Sequence, residues 1–191
     1  MVNKPFISVI WSGFERFSVS GIQFFITIII ARILSPSDFG LIAMLTIFYA
    51  FSQALIDSGL SAALIQKQDC KQEDYNSVYF FNIIISLLLY LILFISASQI
   101  ADFYNNDLLV LLVKVYSLNI VINSLTIVQR TIMMKKLMFK QLSIISFVSS
   151  IIAGFFAILF AFKGYSYWAL VIQMLISSII SGLLILIFSK W

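Results

Sequence analysis

Residues 31–43 read ARILSPSDFGLIA, from Ala31 to Ala43, a short polar stretch set between two long apolar runs. Arg32 closes the first run. Ser35-Pro36-Ser37-Asp38 has the chemistry of a helix start: Ser35 as N-cap, Pro36 at the first helical position, where no donor is needed, and Asp38 placed to reach back as in a capping box. One helix therefore ends and another begins within a few residues. The two must be antiparallel neighbours, and composition decides what surrounds them.

Of 191 residues, 62% are hydrophobic and 10% charged, and the mean hydropathy is +1.07. A soluble domain carries about 25% charged residues, so this composition belongs in lipid. Only 2 Pro and 7 Gly interrupt the chain, and its apolar runs are continuous rather than alternating. That excludes a β-barrel, whose strands alternate, and points to helices of roughly 20 residues each. The expected fold class is an all-α integral membrane protein. Six spans are read, over about 6–34, 39–65, 75–101, 108–128, 141–162 and 168–189, forming a single transmembrane domain, 1–191, as a six-helix bundle.

The polar joints carry the charge. Residues 66–74, QKQDCKQED, link the second and third spans, and the most basic loop runs from Arg130 to Lys140. With the N-terminus inside, Lys4, Lys67, Lys71, Arg130, Lys135, Lys136, Lys140 and Lys190 fall inside, against Arg32 and Lys163 outside. This positive-inside asymmetry places both termini in the cytoplasm. The net charge of +4 is thus a topology signal, and no nucleic-acid partner is read from it.

No catalytic pattern emerges. There is no His, which removes histidine-based zinc sites and acyl transfer, and the lone Cys70 has no histidine to activate it. No paired carboxylates, metal-ligand cluster or phosphate-cradling glycine loop is present. The expectation is a non-enzyme without metal or cofactor.

What the spans do carry is polar residues at helical spacing. The first has Ser12, Arg16, Ser20, Gln23 and Thr27; the second Thr46, Ala50, Gln53, Asp57 and Ser61; the fourth Tyr116, Asn119, Asn123, Thr126 and Arg130; the sixth Ala169, Gln173, Ser177 and Ser181. In lipid such stripes turn away from the acyl chains. Each stripe is read either as the satisfied core of a bundle or as the wall of a hydrated pathway. The fifth span differs: Ala153, Ala157 and Ala161 form a small-residue ladder suited to close helix contact.

Charges inside the spans narrow the candidates. Arg16 and Arg32 are about 24 Å apart along a helix, so at least one must enter the apolar slab or snorkel. Asp57 sits at a depth similar to Arg16 and is either its structural partner or a coupling carboxylate, with Glu15 competing. Lys114 either snorkels or presents its ammonium to an anion.

Several segments, taken in order, resemble bacterial polysaccharide and oligosaccharide flippases of the multidrug/oligosaccharidyl-lipid/polysaccharide exporter superfamily, closest to Wzx-type and colanic-acid exporters. They are RILSPSDFGLIA (32–43), LIDSGLSAALIQ (55–66), IADFY (100–104), VQR (128–130), FK (139–140) and YWALV (167–171), so the resemblance extends over essentially the whole chain. It implies the N-terminal lobe of a two-lobed transporter. Such a transporter would sit in the inner membrane and carry an undecaprenyl-pyrophosphate-linked oligosaccharide by alternating access, for lipopolysaccharide, O-antigen or exopolysaccharide synthesis. The implied partners are that lipid-linked oligosaccharide, membrane lipids, a second lobe or partner half, and the glycosyltransferases or polymerase of the pathway. On this reading Arg16, Arg32 and Lys114 face phosphate, and Gln23, Gln53, Asn119, Asn123 and Gln173 face sugar. Two rivals are a drug or cation antiporter of the same superfamily, using Asp57 or Glu15, and a non-transporting scaffold of a glycan-assembly complex.

Overall fold

The first hairpin turns on Asp38. Its carboxylate accepts the Ser35 N–H at 2.9 Å and the Ser35 hydroxyl at 2.7 Å, ending α1 (Lys4–Ala31) and opening α2 (Pro36–Asp57). The reach-back half of a capping box is therefore present. The Ser35 hydroxyl, however, donates to the carboxylate rather than accepting the Asp38 N–H. The same carboxylate receives the Ser166 hydroxyl at 2.5 Å, which ties this turn to one much later in the chain. The computed structural model describes residues 4–57, 59–67 and 69–189, with side chains in the first helix at 13, 17 and from 19 onward.

All regular structure among the described residues is helical. After α2, a left-handed Gly59 (φ 79°) sets off the short α3 (Leu60–Gln66). There follow α4 (Gln72–Ile95), α5 (Ala97–Phe103), α6 (Leu108–Tyr116), α7 (Leu118–Ser124), α8 (Ile127–Lys135), α9 (Phe139–Phe162) and α10 (Trp168–Phe188). By length and apolarity, Pro36–Gln66, Gln72–Ile95, Phe139–Phe162 and Trp168–Phe188 can each cross a membrane. A fifth is added if Leu108–Ser124 and Ile127–Lys135, bent by 41°, form one span. Four to five is thus the number that the described helices support, against six expected; in the first helix the apolar stretch described is Val19–Ala31.

Two expectations about joints change. The segment 66–74 was read as a polar link, but helix occupies its ends, since α3 runs to Gln66 and α4 starts at Gln72. The basic loop Arg130–Lys140 is mostly helix, because α8 continues through Lys135 and α9 starts at Phe139. Charge marks where a helix leaves lipid, not where its hydrogen-bond ladder stops. Lys135 also has a task at that position: its ammonium donates to the Leu64 carbonyl at 2.9 Å, the Lys67 carbonyl at 2.5 Å and Cys70 Sγ at 3.1 Å. It thereby satisfies carbonyls at the end of α3 that the helix leaves open. Nearby, Lys67 pairs with Asp74 at 2.7 Å, and this partner raises the Lys67 pKa above its ordinary value.

The run expected as one helix over 108–128 is broken twice. Ser117 Oγ donates to the Val113 carbonyl at 2.6 Å, Ser124 Oγ to the Val121 carbonyl at 2.8 Å and Thr126 Oγ1 to the Asn123 carbonyl at 3.3 Å. Hydroxyls that bond back to helix carbonyls bend helices.

Packing runs in two halves. Ile26, Ile30 and Leu34 are buried together with Ala157, Ala161 and Ala169, which joins α1, α9 and α10. The approach is closest at Gly154, where a Cβ would overlap the Ile26 side chain, meeting its Cγ1 at 2.8 Å. A second cluster gathers Leu41, Leu45, Leu109, Leu112, Val113, Tyr116 and Val171 from α2, α6 and α10. Outside, large apolar side chains stand free, among them Phe24 (63% exposed), Ile95 (70%) and Ile187 (74%). That is the surface a lipid environment would cover.

Polar groups lie within. Ser86 of α4 and Ser124 of α7 share a hydrogen bond at 2.8 Å. One turn before Ser86 on α4 lies Asn82 (1% exposed), and past the bend on α8 lies Gln129 (0%); the amide groups of both are buried without a partner.

Candidate functional site

Two cavities lie among the helices. The first, about 270 Å³, is lined by Gln23 and Thr27 from α1, Ile42 and Tyr49 from α2, Tyr116 and Asn119 from α6 and α7, Ser150 and Ala153 from α9, and Leu170, Gln173, Met174, Ser177 and Ser178 from α10. Gln23 and Thr27 are one turn apart, as are Gln173 and Ser177, so each helix turns one polar strip inward. No lining residue is charged. The wall consists of amides, hydroxyls and aromatic rings.

That wall is built by particular bonds. Tyr49 and Tyr116 meet edge to face, with ring centres 5.7 Å apart. Asn123 Nδ2 donates to the Tyr49 hydroxyl at 2.8 Å and to Ser178 Oγ at 3.4 Å, fixing α2, α7 and α10 to one another. Asn119 Nδ2 donates to the Tyr116 carbonyl at 3.0 Å. Its Oδ1 and the Tyr116 hydroxyl are left buried without a partner. An unmade hydrogen bond at a buried group costs about 1–3 kcal/mol, so the cavity holds polar capacity that a ligand rich in hydroxyls can satisfy.

The second cavity, about 380 Å³, lies further along α2, between its Gln53, Ala54 and Asp57, Ser61 of α3, and Ile127, Arg130, Thr131 and Met134 of α8. It opens where both walls are interrupted, at the α2–α3 break and beside the α7–α8 bend. Asp57 and Arg130 are exposed to it. Among the described residues the one ion pair is Lys67–Asp74, so these two opposite charges line one space without joining. Gln53 is half-buried there, its amide beside the Tyr49 hydroxyl one turn earlier on α2.

The expected site residues divide accordingly. Gln23, Asn119 and Gln173 share the neutral cavity, and Asn123 braces its wall. Gln53 and Asp57 line the charged one. Arg32 and Lys114 line neither: Arg32 is exposed in the α1–α2 turn, and the Lys114 ammonium lies 4.6 Å above the Phe94 ring. The side chains of Glu15 and Arg16 lie outside the described residues, and so does an Arg16–Asp57 pair. Tyr49 was missed, although it stands one turn before Gln53 on the same face. Arg130 was placed in a stripe and in a loop, and its helical register is what brings it to Asp57. Among the described residues no group of three or more His, Cys, Asp or Glu is placed to hold a metal ion.

A helical bundle with an apolar exterior and an amide- and hydroxyl-lined interior defines a multi-pass membrane protein with a polar interior. Residues 29–191 match the polysaccharide biosynthesis protein family, and the chain belongs to that family. It is similar to the succinoglycan biosynthesis transport protein ExoT of Rhizobium meliloti (strain 1021), 29% identical over 175 residues, covering 91% of this chain and 35% of the relative. The lipopolysaccharide biosynthesis protein WzxC of Escherichia coli (strain K12) is 26% identical over 145 residues, covering 76% of this chain and 29% of its own length. The teichuronic acid biosynthesis protein TuaB of Bacillus subtilis (strain 168) is 33% identical over 109 residues, 56% of this chain and 23% of its own. The chain spans about a third of the length of such relatives. No solved structure matches it.

Proposed function

We propose that this chain is one lobe of an exporter that moves a lipid-linked oligosaccharide across the bacterial inner membrane, rather than an enzyme. On this reading residues 1–191 form one six-span domain with both termini in the cytoplasm. The neutral cavity receives sugar, and a second lobe, continuous or separate, completes an alternating-access pathway beside the glycosyltransferases that supply the cargo. The relatives' names, which refer to succinoglycan transport and to lipopolysaccharide and teichuronic acid biosynthesis, support a glycan as cargo.

The observation that carries the reading is the lining of the neutral cavity. Amides, hydroxyls and two tyrosine rings, with the Tyr116 hydroxyl and Asn119 Oδ1 unpartnered, suit a polyhydroxyl ligand and hold no carboxylate to couple a proton or neutralise a small cation. Asn119→Leu and Gln173→Leu, made in the producing cell, are each expected to reduce glycan export severalfold at normal membrane abundance. Undiminished export in both would remove the reading. Asp57 in its separate open cavity favours the antiporter alternative. Export of small cations that requires Na⁺ or H⁺ and is lost in Asp57→Asn would support that alternative instead.

A further inference from the structure

Lys114 is a cation well inside an apolar helix, and it lines neither cavity. It stands seven residues past Asp107 in the α5–α6 turn, a rise of roughly 10 Å. Around it, α6 buries Leu109, Leu112 and Val113, whereas Leu111 and, on the following α7, Leu118 are exposed. Lys114 comes three residues after Leu111 and four before Leu118, so it belongs to the outward strip and not to the packed one. Facing it, α4 exposes Leu91, Phe94 and Ile95. The Lys114 ammonium lies 4.6 Å from the centre of the Phe94 ring, and Tyr90 packs against that ring at 5.9 Å. No residue of α4 lines either cavity, so the groove between α4 and α6 stands outside the polar interior.

An ammonium among apolar side chains that face lipid needs a counter-charge. Lys114 makes no hydrogen bond or ion pair among the described residues, which leaves its three N–H donors open. A ring face is a weaker partner for it than an oxyanion. The ligand that brings an oxyanion to this depth together with apolar chains is a phospholipid, and the unpaired positive charge selects an anionic one. We propose that the α4–α6 groove binds an anionic phospholipid, its headgroup phosphate on Lys114 and its acyl chains along Leu91, Ile95 and Leu111. The lipid then bridges α4 and α6 beside the break between α4 and α5 at Ser96. This goes beyond the exporter reading and requires only that α4 and α6 face a bilayer.

The test titrates the full chain in detergent micelles with phosphatidylglycerol or phosphatidylcholine, read by native mass spectrometry and by the unfolding midpoint. Phosphatidylglycerol is expected to be retained more tightly than phosphatidylcholine and to raise the midpoint further. Lys114→Gln should lower that preference roughly fivefold, the worth of one lysine at an anionic lipid surface, and Lys114→Arg should preserve it. Lys163→Gln, in the turn after α9, controls for general surface charge and should change it little. An unchanged preference in Lys114→Gln, an equal loss in Lys163→Gln, or a loss in Lys114→Arg as large as in Lys114→Gln overturns the proposal. A Lys114 that turns instead to Asp107, two turns earlier, gives a different pair of results: Asp107→Asn lowers the midpoint in phosphatidylcholine, and Lys114→Gln leaves the lipid preference intact. That pair also overturns it. Lys114-dependent retention that vanishes once a second lobe is joined to the chain would assign the groove to that lobe, against the proposal. Retention in a chain whose Asn119→Leu and Gln173→Leu variants export normally would remove the exporter reading and leave the lipid site standing.

Discussion

Replacing Asp38 tests how the Ser35 end of the bundle is held. The carboxylate is 7% exposed and accepts three hydrogen bonds: the Ser35 N–H at 2.9 Å, the Ser35 hydroxyl at 2.7 Å and the Ser166 hydroxyl at 2.5 Å. Asp38→Ala removes all three at once. Loss of a helix-start acceptor costs about 1 kcal/mol, and each hydrogen bond to a charged group contributes about 1.5–3 kcal/mol. Because the bonds share one acceptor their losses do not add, and a total of about 2–4 kcal/mol is expected. At about 2–4 °C per kcal/mol for a chain of this size, the unfolding midpoint in detergent should fall by roughly 4–16 °C. Ser166→Ala breaks only the link between the two turns and should cost about 1–2 kcal/mol. In Asp38→Ala, Ser166→Ala should then cost almost nothing. An unshifted midpoint in Asp38→Ala, or additive losses in the double variant, refutes this account of the turn.

Gly154→Leu should separate α1 from α9 by forcing Ile26 aside, at about 2–3 kcal/mol, and Gly154→Ala should cost less; both are read from the unfolding midpoint. Tyr49→Phe removes the acceptor of Asn123 Nδ2, and a destabilisation of about 1 kcal/mol is expected. Lys135→Gln should free residues 64–70, seen as faster alkylation of Cys70 and easier proteolysis there. Lys67, whose pKa is raised by Asp74, contributes stability that is complete below its ordinary value of 10.5 and is lost as pH climbs through its raised one. An alkaline scan of Lys67→Gln against the parent should therefore converge only above pH 10.5.

Much of the bundle was legible as a string. The cap at Ser35–Asp38 follows from residue chemistry within four positions, and the inward strips Gln23–Thr27 and Gln173–Ser177 follow from spacing alone. So does the separation of Ala153, Ala157 and Ala161 onto a packing face. The helix interruptions were not legible, because Ser117, Ser124 and Thr126 are isolated hydroxyls in an apolar run whose periodicity they do not disturb. Their effect depends on which carbonyl each hydroxyl finds. Nor did sequence show where Lys114 goes: its reach permits either direction, and the Phe94 ring that receives it lies on another helix. The division of charge between two cavities depends on the register of α8 against α2, a tertiary fact.

Asn82 and Gln129 give the α4–α8 contact an unusual mechanical character. Buried amides that are bonded to one another fix a single register, since any slip must break them. Here both amides are unengaged, towards one end of the serine bond that joins α4 to α7 and beside a bend of 41°. Sliding α8 along α4 therefore disrupts little at these amides, while new partners can come within reach. These two amides therefore do not weld the α4–α8 register, and replacing both with leucine is expected to raise the unfolding midpoint.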